Sequence, residues 1–128
     1  MIVKLTYQFS LEVIKYTEKL EDLKKWNMAS QLFRSATSVG ANVREAQNAE
    51  SKNDFIHKIK IAAKEADEAE YWLLLCRDAG SYPETGVLLK EIESISKVLS
   101  KIISTSKKGS APSSNRQIIK SFHCNGFR

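Results

Sequence analysis

Apolar residues recur along this chain at intervals of four, three, four and three, the period of helices that pack on one another. The pattern appears four times: at Phe9, Val13, Tyr16, Leu20 and Leu23; at Leu32, Ala36, Val39, Val43 and Ala46; at Phe55, Ile59, Ala62, Ala66, Ala69, Leu73 and Cys76; and at Leu88, Ile92, Ile95, Leu99 and Ile102. No strand-like alternation competes with it. The spacing predicts helices over residues 7–24, 28–49, 52–79 and 84–105. Asn27 is the expected N-cap of the second helix. The run Ser51-Lys52-Asn53-Asp54 reads as a capping box for the third, with hydroxyl and carboxylate satisfying backbone amides reciprocally. Gly80 suits the position after helix three, and Pro83 the first turn of helix four, where its missing N–H costs nothing. Short connections between long helices imply an all-α fold, an antiparallel up-down-up-down four-helix bundle.

Composition adds little to this until the charges are placed. The chain has 128 residues, enough for one domain with a core of its own, and a net charge of +5. Residues 1–106 hold equal numbers of basic and acidic side chains, so the whole surplus falls on Lys107, Lys108, Arg116, Lys120 and Arg128. The division expected is a bundle over residues 1–106 and a basic, mostly disordered tail over 107–128, too polar to offset its ordering entropy. The longest apolar run, residues 71–76, is too short to span a bilayer, and no secretory signal opens the chain. A cytoplasmic protein without disulfides, membrane contact or cofactor is the expectation.

The chemistry found in four-helix bundles is mostly di-iron chemistry, built from inward Glu residues and two Glu-x-x-His pairs. Here His57 with Asp54 forms at most half of such a motif, and Asp54 is better read as a cap. His123 and Cys124 are adjacent but lack partners at zinc-site spacing. Cys76 falls on the apolar stripe as a small hydrophobe. No nucleophile has a triad context, and no Gly-rich loop could cradle a phosphate, so no enzymatic activity is expected.

Two features call for a partner. Helix two carries a polar stripe beside its apolar one, Gln31, Ser35, Ser38, Asn42 and Glu45, in residue types that form helices weakly. Small polar groups at that spacing suit close approach of another helix. Residues 71–76 of helix three are apolar all round, more than one stripe can bury, which points to self-association through Trp72 and Leu75. The acidic cluster Glu65, Asp67, Glu68 and Glu70 reads first as a charged exposed face, with a partly buried ion pair across helices through Glu68, in line with Trp72 and Leu75, as the alternative. For nucleic acid, the candidate phosphate contacts are Arg34, Arg44, Lys52, Lys58, Lys60 and Lys64 in the bundle and Lys107, Lys108, Arg116 and Lys120 in the tail.

Residues 30–46, SQLFRSATSVGANVREA, resemble the signature of the bacterial four-helix-bundle proteins encoded in 23S rRNA intervening sequences, Q-x-x-R-(S/A)-A-x-S-(I/V)-x-A-N-(I/V)-x-E. Asp54-Phe55-Ile56 and the stretch from Glu65 to Leu73 fit the same family, and the likeness covers about residues 5–106. Ala46 stands where many members have glycine, and Lys64-Glu65 where many have Gly-Ser. The resemblance implies a homopentamer of bundles. It also implies kinship with the accessory protein of diversity-generating retroelements, which binds nucleic acid and a reverse transcriptase. The resulting expectation is a non-enzymatic, oligomeric, nucleic-acid-associated protein that binds structured RNA. The alternative is a protein-interaction scaffold without nucleic-acid activity, its protein partner unknown.

Overall fold

The computed structural model describes residues 1–108, which form four α-helices and, among the described residues, no strand. They are α1 (Ile2–Asp22), α2 (Trp26–Ala46), α3 (Lys52–Asp78) and α4 (Gly86–Lys108). The helices form a closed bundle: α2 packs on α1 and α3, α3 packs on α4, and α4 returns to α1 along the least extensive of the four seams. Residue numbers climb along α2 as they fall along α3, since Arg34 meets Glu65 and Glu68 while Glu45 meets Lys58. At one end, the Tyr16 hydroxyl donates to the Pro83 carbonyl at 2.8 Å, and the Lys25 ammonium lies 4.3 Å from the Tyr82 ring centre.

The four apolar stripes supply the core. From the second and third stripes every residue is buried, from Leu32 to Ala46 and from Phe55 to Cys76. Phe9, Val13, Tyr16 and Leu20 of α1 and Leu88, Ile92, Ile95 and Leu99 of α4 complete it, with Ile102 only half-buried. Each fully buried large side chain contributes on the order of 1.5–3 kcal/mol relative to exposure.

Helix α1 starts five residues earlier than its spacing predicts. Its stripe continues back through Thr6 to Ile2, and Thr6 hides the period because it is polar. The Thr6 hydroxyl donates to the carbonyls of Ile2 and Val3, at 3.0 and 3.1 Å, and is thereby buried without loss. At the other end the stripe stops short, with Leu23 half exposed at 52%. Helix α1 closes there in a Schellman turn. The Lys25 N–H donates to the Leu20 carbonyl and the Lys24 N–H to that of Glu21, which requires Lys24 at φ 62°. Leu23, the C-cap, stands at the very end of the helix, beyond the last buried residue of its stripe. A side chain with a Cβ is disfavoured in that left-handed conformation. Lys24→Gly is accordingly expected to stabilise the protein by roughly 0.5–1 kcal/mol in chemical denaturation.

Two boundary signals differ from the sequence reading. Lys25 is the N-cap of α2 and makes no side-chain cap bond, so Asn27 falls inside the first turn. Pro83 lies in the connection before α4, whose first helical bond runs from the Leu89 N–H to the Thr85 carbonyl. Pro83 instead offers its carbonyl to Tyr16, which anchors the connection to α1. The Ser51 cap is present, its hydroxyl accepting from the Asp54 N–H at 3.0 Å, while the Asp54 carboxylate accepts from the Glu50 N–H. Gly80 follows α3 at φ 83°, as its expected position requires. Helix α4 runs three residues beyond 105, so Lys107 and Lys108 belong to it. The rest of the proposed tail, including Arg116 and Lys120, lies outside the described residues.

Candidate interaction face on helices two and three

The centre of α3 buries Ala62, Ala66 and Ala69, and Ala36 lies on the facing stripe of α2. Small side chains let the two backbones come close, and α2–α3 is the most extensive seam in the bundle. Close approach sets the polar groups that flank it. The Arg34 guanidinium spans from α2 to α3, with Nη1 3.2 Å from Glu65 Oε1 and Nη2 bonded to Glu68 Oε2. Trp72 Nε1–H donates to the same Glu68 oxygen at 3.1 Å. Two to three turns further along, Lys58 Nζ donates to Glu45 Oε1 at 2.8 Å.

These contacts hold both Arg34 and Glu68 in their charged forms. Hydrogen bonds from Arg34 and then from Trp72 lower the Glu68 carboxyl below its ordinary 4.5, and the Glu68 bond raises Arg34. The sign follows directly. A carboxyl depressed in the folded state contributes above its unfolded pKa, and that contribution is lost as pH falls through the folded value. Because the Arg34 and Glu68 side chains are 49% and 35% exposed, water screens the pair and its stabilising effect is small. Its role is orientation. Glu68 fixes the Trp72 indole, and the Tyr71 ring meets that indole edge-on at 5.2 Å between centroids.

The polar stripe of α2 does not stay together as one environment. Ser35 is fully buried, Ser38 and Asn42 are half-buried, and Gln31 and Glu45 are exposed. Its hydrogen bonds turn inward along the helix: Ser35 donates to the carbonyls of Gln31 and Leu32, and Asn42 Nδ2 donates to the Ser38 carbonyl at 2.9 Å. This local bonding is why weak helix formers are tolerated here, and it leaves a low-relief flank beside α3.

On the outer side of α3, Tyr71 is 55% and Leu75 38% exposed, while Trp72 and Leu74 are half-buried. The apolar surplus in residues 71–76 is thus uncovered within one chain. The basic candidates are scattered by comparison. Arg34 and Lys58 are engaged in ion pairs, Lys60, Lys64 and Lys107 are exposed, Arg44 is exposed and Lys52 is half-buried. Lys60 and Lys64 are one turn apart on α3, with Lys58 roughly 160° away from Lys60 at 100° per residue.

A second apolar area escaped the sequence reading. Tyr7 of α1 and Phe33 of α2 are exposed along the α1–α2 groove, and Leu5 and Leu11 are exposed elsewhere on α1. Gly40 lets α1 lie close there, since a Cβ at that position would be 3.3 Å from Ser10 Oγ and 3.4 Å from the Thr6 carbonyl oxygen. The signal was available in the repeats at Tyr7 and Leu11, which stand one turn apart opposite the core stripe. Among the described residues, no cluster of three or more His, Cys, Asp or Glu side chains could hold a metal ion. His57 is exposed, and Cys76 is buried in the core, where burial pushes its thiol up.

The profile of the 23S rRNA-intervening sequence protein family matches residues 1–101. A crystal structure from Bacteroides thetaiotaomicron, of a protein with unknown function from the S23 ribosomal protein family, superposes with a TM-score of 0.78 at 35% identity. The alignment covers 82% of this chain and 100% of that one. No curated protein matches this chain.

Proposed function

From the premise that the chain belongs to the 23S rRNA-intervening sequence protein family, we propose a non-enzymatic, oligomeric, nucleic-acid-associated protein that binds structured RNA. Its unit is an antiparallel up-down-up-down bundle, a reading supported by the opposed numbering of the α2–α3 ion pairs. Five copies assemble through the outer face of α3 in the cytoplasm. The observation that carries the assembly is the uncovered apolar group at Tyr71, Trp72 and Leu75 on a bundle whose own core is complete. No helix of the described residues is long and apolar enough to cross a membrane.

The RNA part of the reading rests on the family and on charge. The described bundle is close to neutral, and Arg34 and Lys58 already have carboxylate partners. Phosphate contacts are therefore assigned to Lys60, Lys64, Lys107 and Lys108 and to the tail residues Arg116 and Lys120. Repetition over five copies multiplies individually weak contacts. The chain shortened after Lys108 tests this, because it keeps all of α4 and removes Arg116, Lys120 and Arg128. Affinity for a structured RNA is expected to fall, with the slope of log K against log salt shallower by roughly 2 per bound chain. Unchanged affinity and slope would place the contacts on the bundle.

The engagement of Arg34 and Lys58 within the bundle favours a second reading, a scaffold for a protein partner. Absence of RNA binding by the full chain at low salt would leave that one standing.

A further inference from the structure

Along the seam between α1 and α4, one carboxylate is out of place. Glu91 of α4 is half-buried, one turn from Leu88 and one from Ile95, and its Oε1 is buried with no hydrogen-bond partner among the described residues. A buried charged oxygen without a partner is costly. Across the seam stands Glu12 of α1, a second carboxylate, whose Oε2 is 3.4 Å from Lys15 Nζ. Glu12, Lys15, Tyr16 and Lys19 of α1 line an open cavity of about 320 Å³ with Glu84, Val87 and Leu88 beside the start of α4. Lys15, Lys19 and Glu84 are the other charged groups on this seam, and burial together with the charge of Glu12 acts on the Glu91 carboxyl. This is also the seam with the least packing.

We propose that the α1–α4 seam is a proton-sensitive latch: at neutral pH, Glu91 and Glu12 face each other as two carboxylates and loosen it, and a proton on Glu91 draws α4 onto α1. The protonated carboxyl removes the like-charge repulsion and the buried charge together. Burial first, and Glu12 second, raise the Glu91 carboxyl above its ordinary 4.5. With the folded value raised, the stabilisation is complete below 4.5 and is lost as pH rises through the folded value. Helix α4 is then the element that opens first on the alkaline side of that window. The inference depends neither on RNA nor on the number of copies.

Amide hydrogen exchange on the full chain, corrected for intrinsic rates, reads this directly. Between about pH 5 and about pH 7.5, opening of peptides from residues 87–99 is expected to rise roughly three- to tenfold, while peptides from residues 29–46 and 55–76 change little. Glu91→Gln should abolish that rise. Equal change in all four helices, or the same rise in the variant, would overturn the proposal. The carboxyl resonance of Glu91 in the unaltered protein gives an independent readout, with a midpoint above 4.5 expected. A midpoint at or below 4.5 would overturn it even if the variant failed to fold.

Discussion

The protein with Tyr71→Asp and Leu75→Asp together is expected to run as a single 14.5 kDa chain, where the unaltered protein runs at several times that mass. Light scattering at micromolar concentration, with helix content measured in parallel, makes the comparison. Both residues point away from the core stripe of α3, at 55% and 38% exposure, so two aspartates there leave the internal packing of one bundle untouched. In an interface they would place four or more unpaired carboxylates in a surface that excludes water, at several kcal/mol per buried charge. Assembly should therefore be lost almost completely while helicity is retained. The variant removes the edge-on contact of Tyr71 with Trp72, while the hydrogen bond from the indole to Glu68 remains. Association that survives both substitutions would transfer the interface to the α1–α2 groove with Tyr7 and Phe33. A monomeric unaltered protein would remove the interface reading altogether.

Phe9→Ala carries the largest expected cost to the individual bundle, about 3–5 kcal/mol in denaturant unfolding. Phe9 is 1% exposed and the largest side chain fully enclosed by the core. It stands midway along the α1 stripe between Thr6 and Val13, and both of those are buried too. The helices around it are held by neighbours on two sides, so the void cannot close by a small shift and the cavity term is added to the lost transfer free energy. Against a total stability of roughly 5–15 kcal/mol, such a loss brings the protein close to its unfolding threshold. If association supports the fold, the deficit will shrink as protein concentration rises, which a dilution series of melting temperatures would reveal. A loss below about 1 kcal/mol would mean that α1 repacks freely.

Much of the architecture can be read from residue order because helix burial is periodic and local. A side chain three or four positions from a buried one lies on the same face, so the stripes through Leu32 and Val39 or through Ile59, Ala66 and Leu73 name their own core. Ser51 and Gly80 are legible for the same reason, since a cap or a left-handed residue acts within a few positions of itself. The surplus at Tyr71 to Leu75 is equally local, being more apolar circumference than one stripe can hide.

Contacts between helices obey no such period. Arg34 lies 31 and 34 residues from its carboxylate partners, and that match depends on how close the alanines of α3 let α2 approach. Charge alone makes Arg34 and Lys58 candidates for phosphate, and only the register of the two helices gives them carboxylate partners. Thr6 and Ser35 look polar in the sequence, yet back-bonding to their own helix lets both be buried. Leu23 looks like core, yet the chain leaves the helix at Lys24 and Leu23 stays half exposed at its end. Glu91 resembles any exposed glutamate until α1 is laid against it and Glu12 comes to face it. Periodicity determines which face of each helix is dry. The distance, rotation and register between faces emerge only when all four helices pack at once, and those quantities decide where each charge finds a partner.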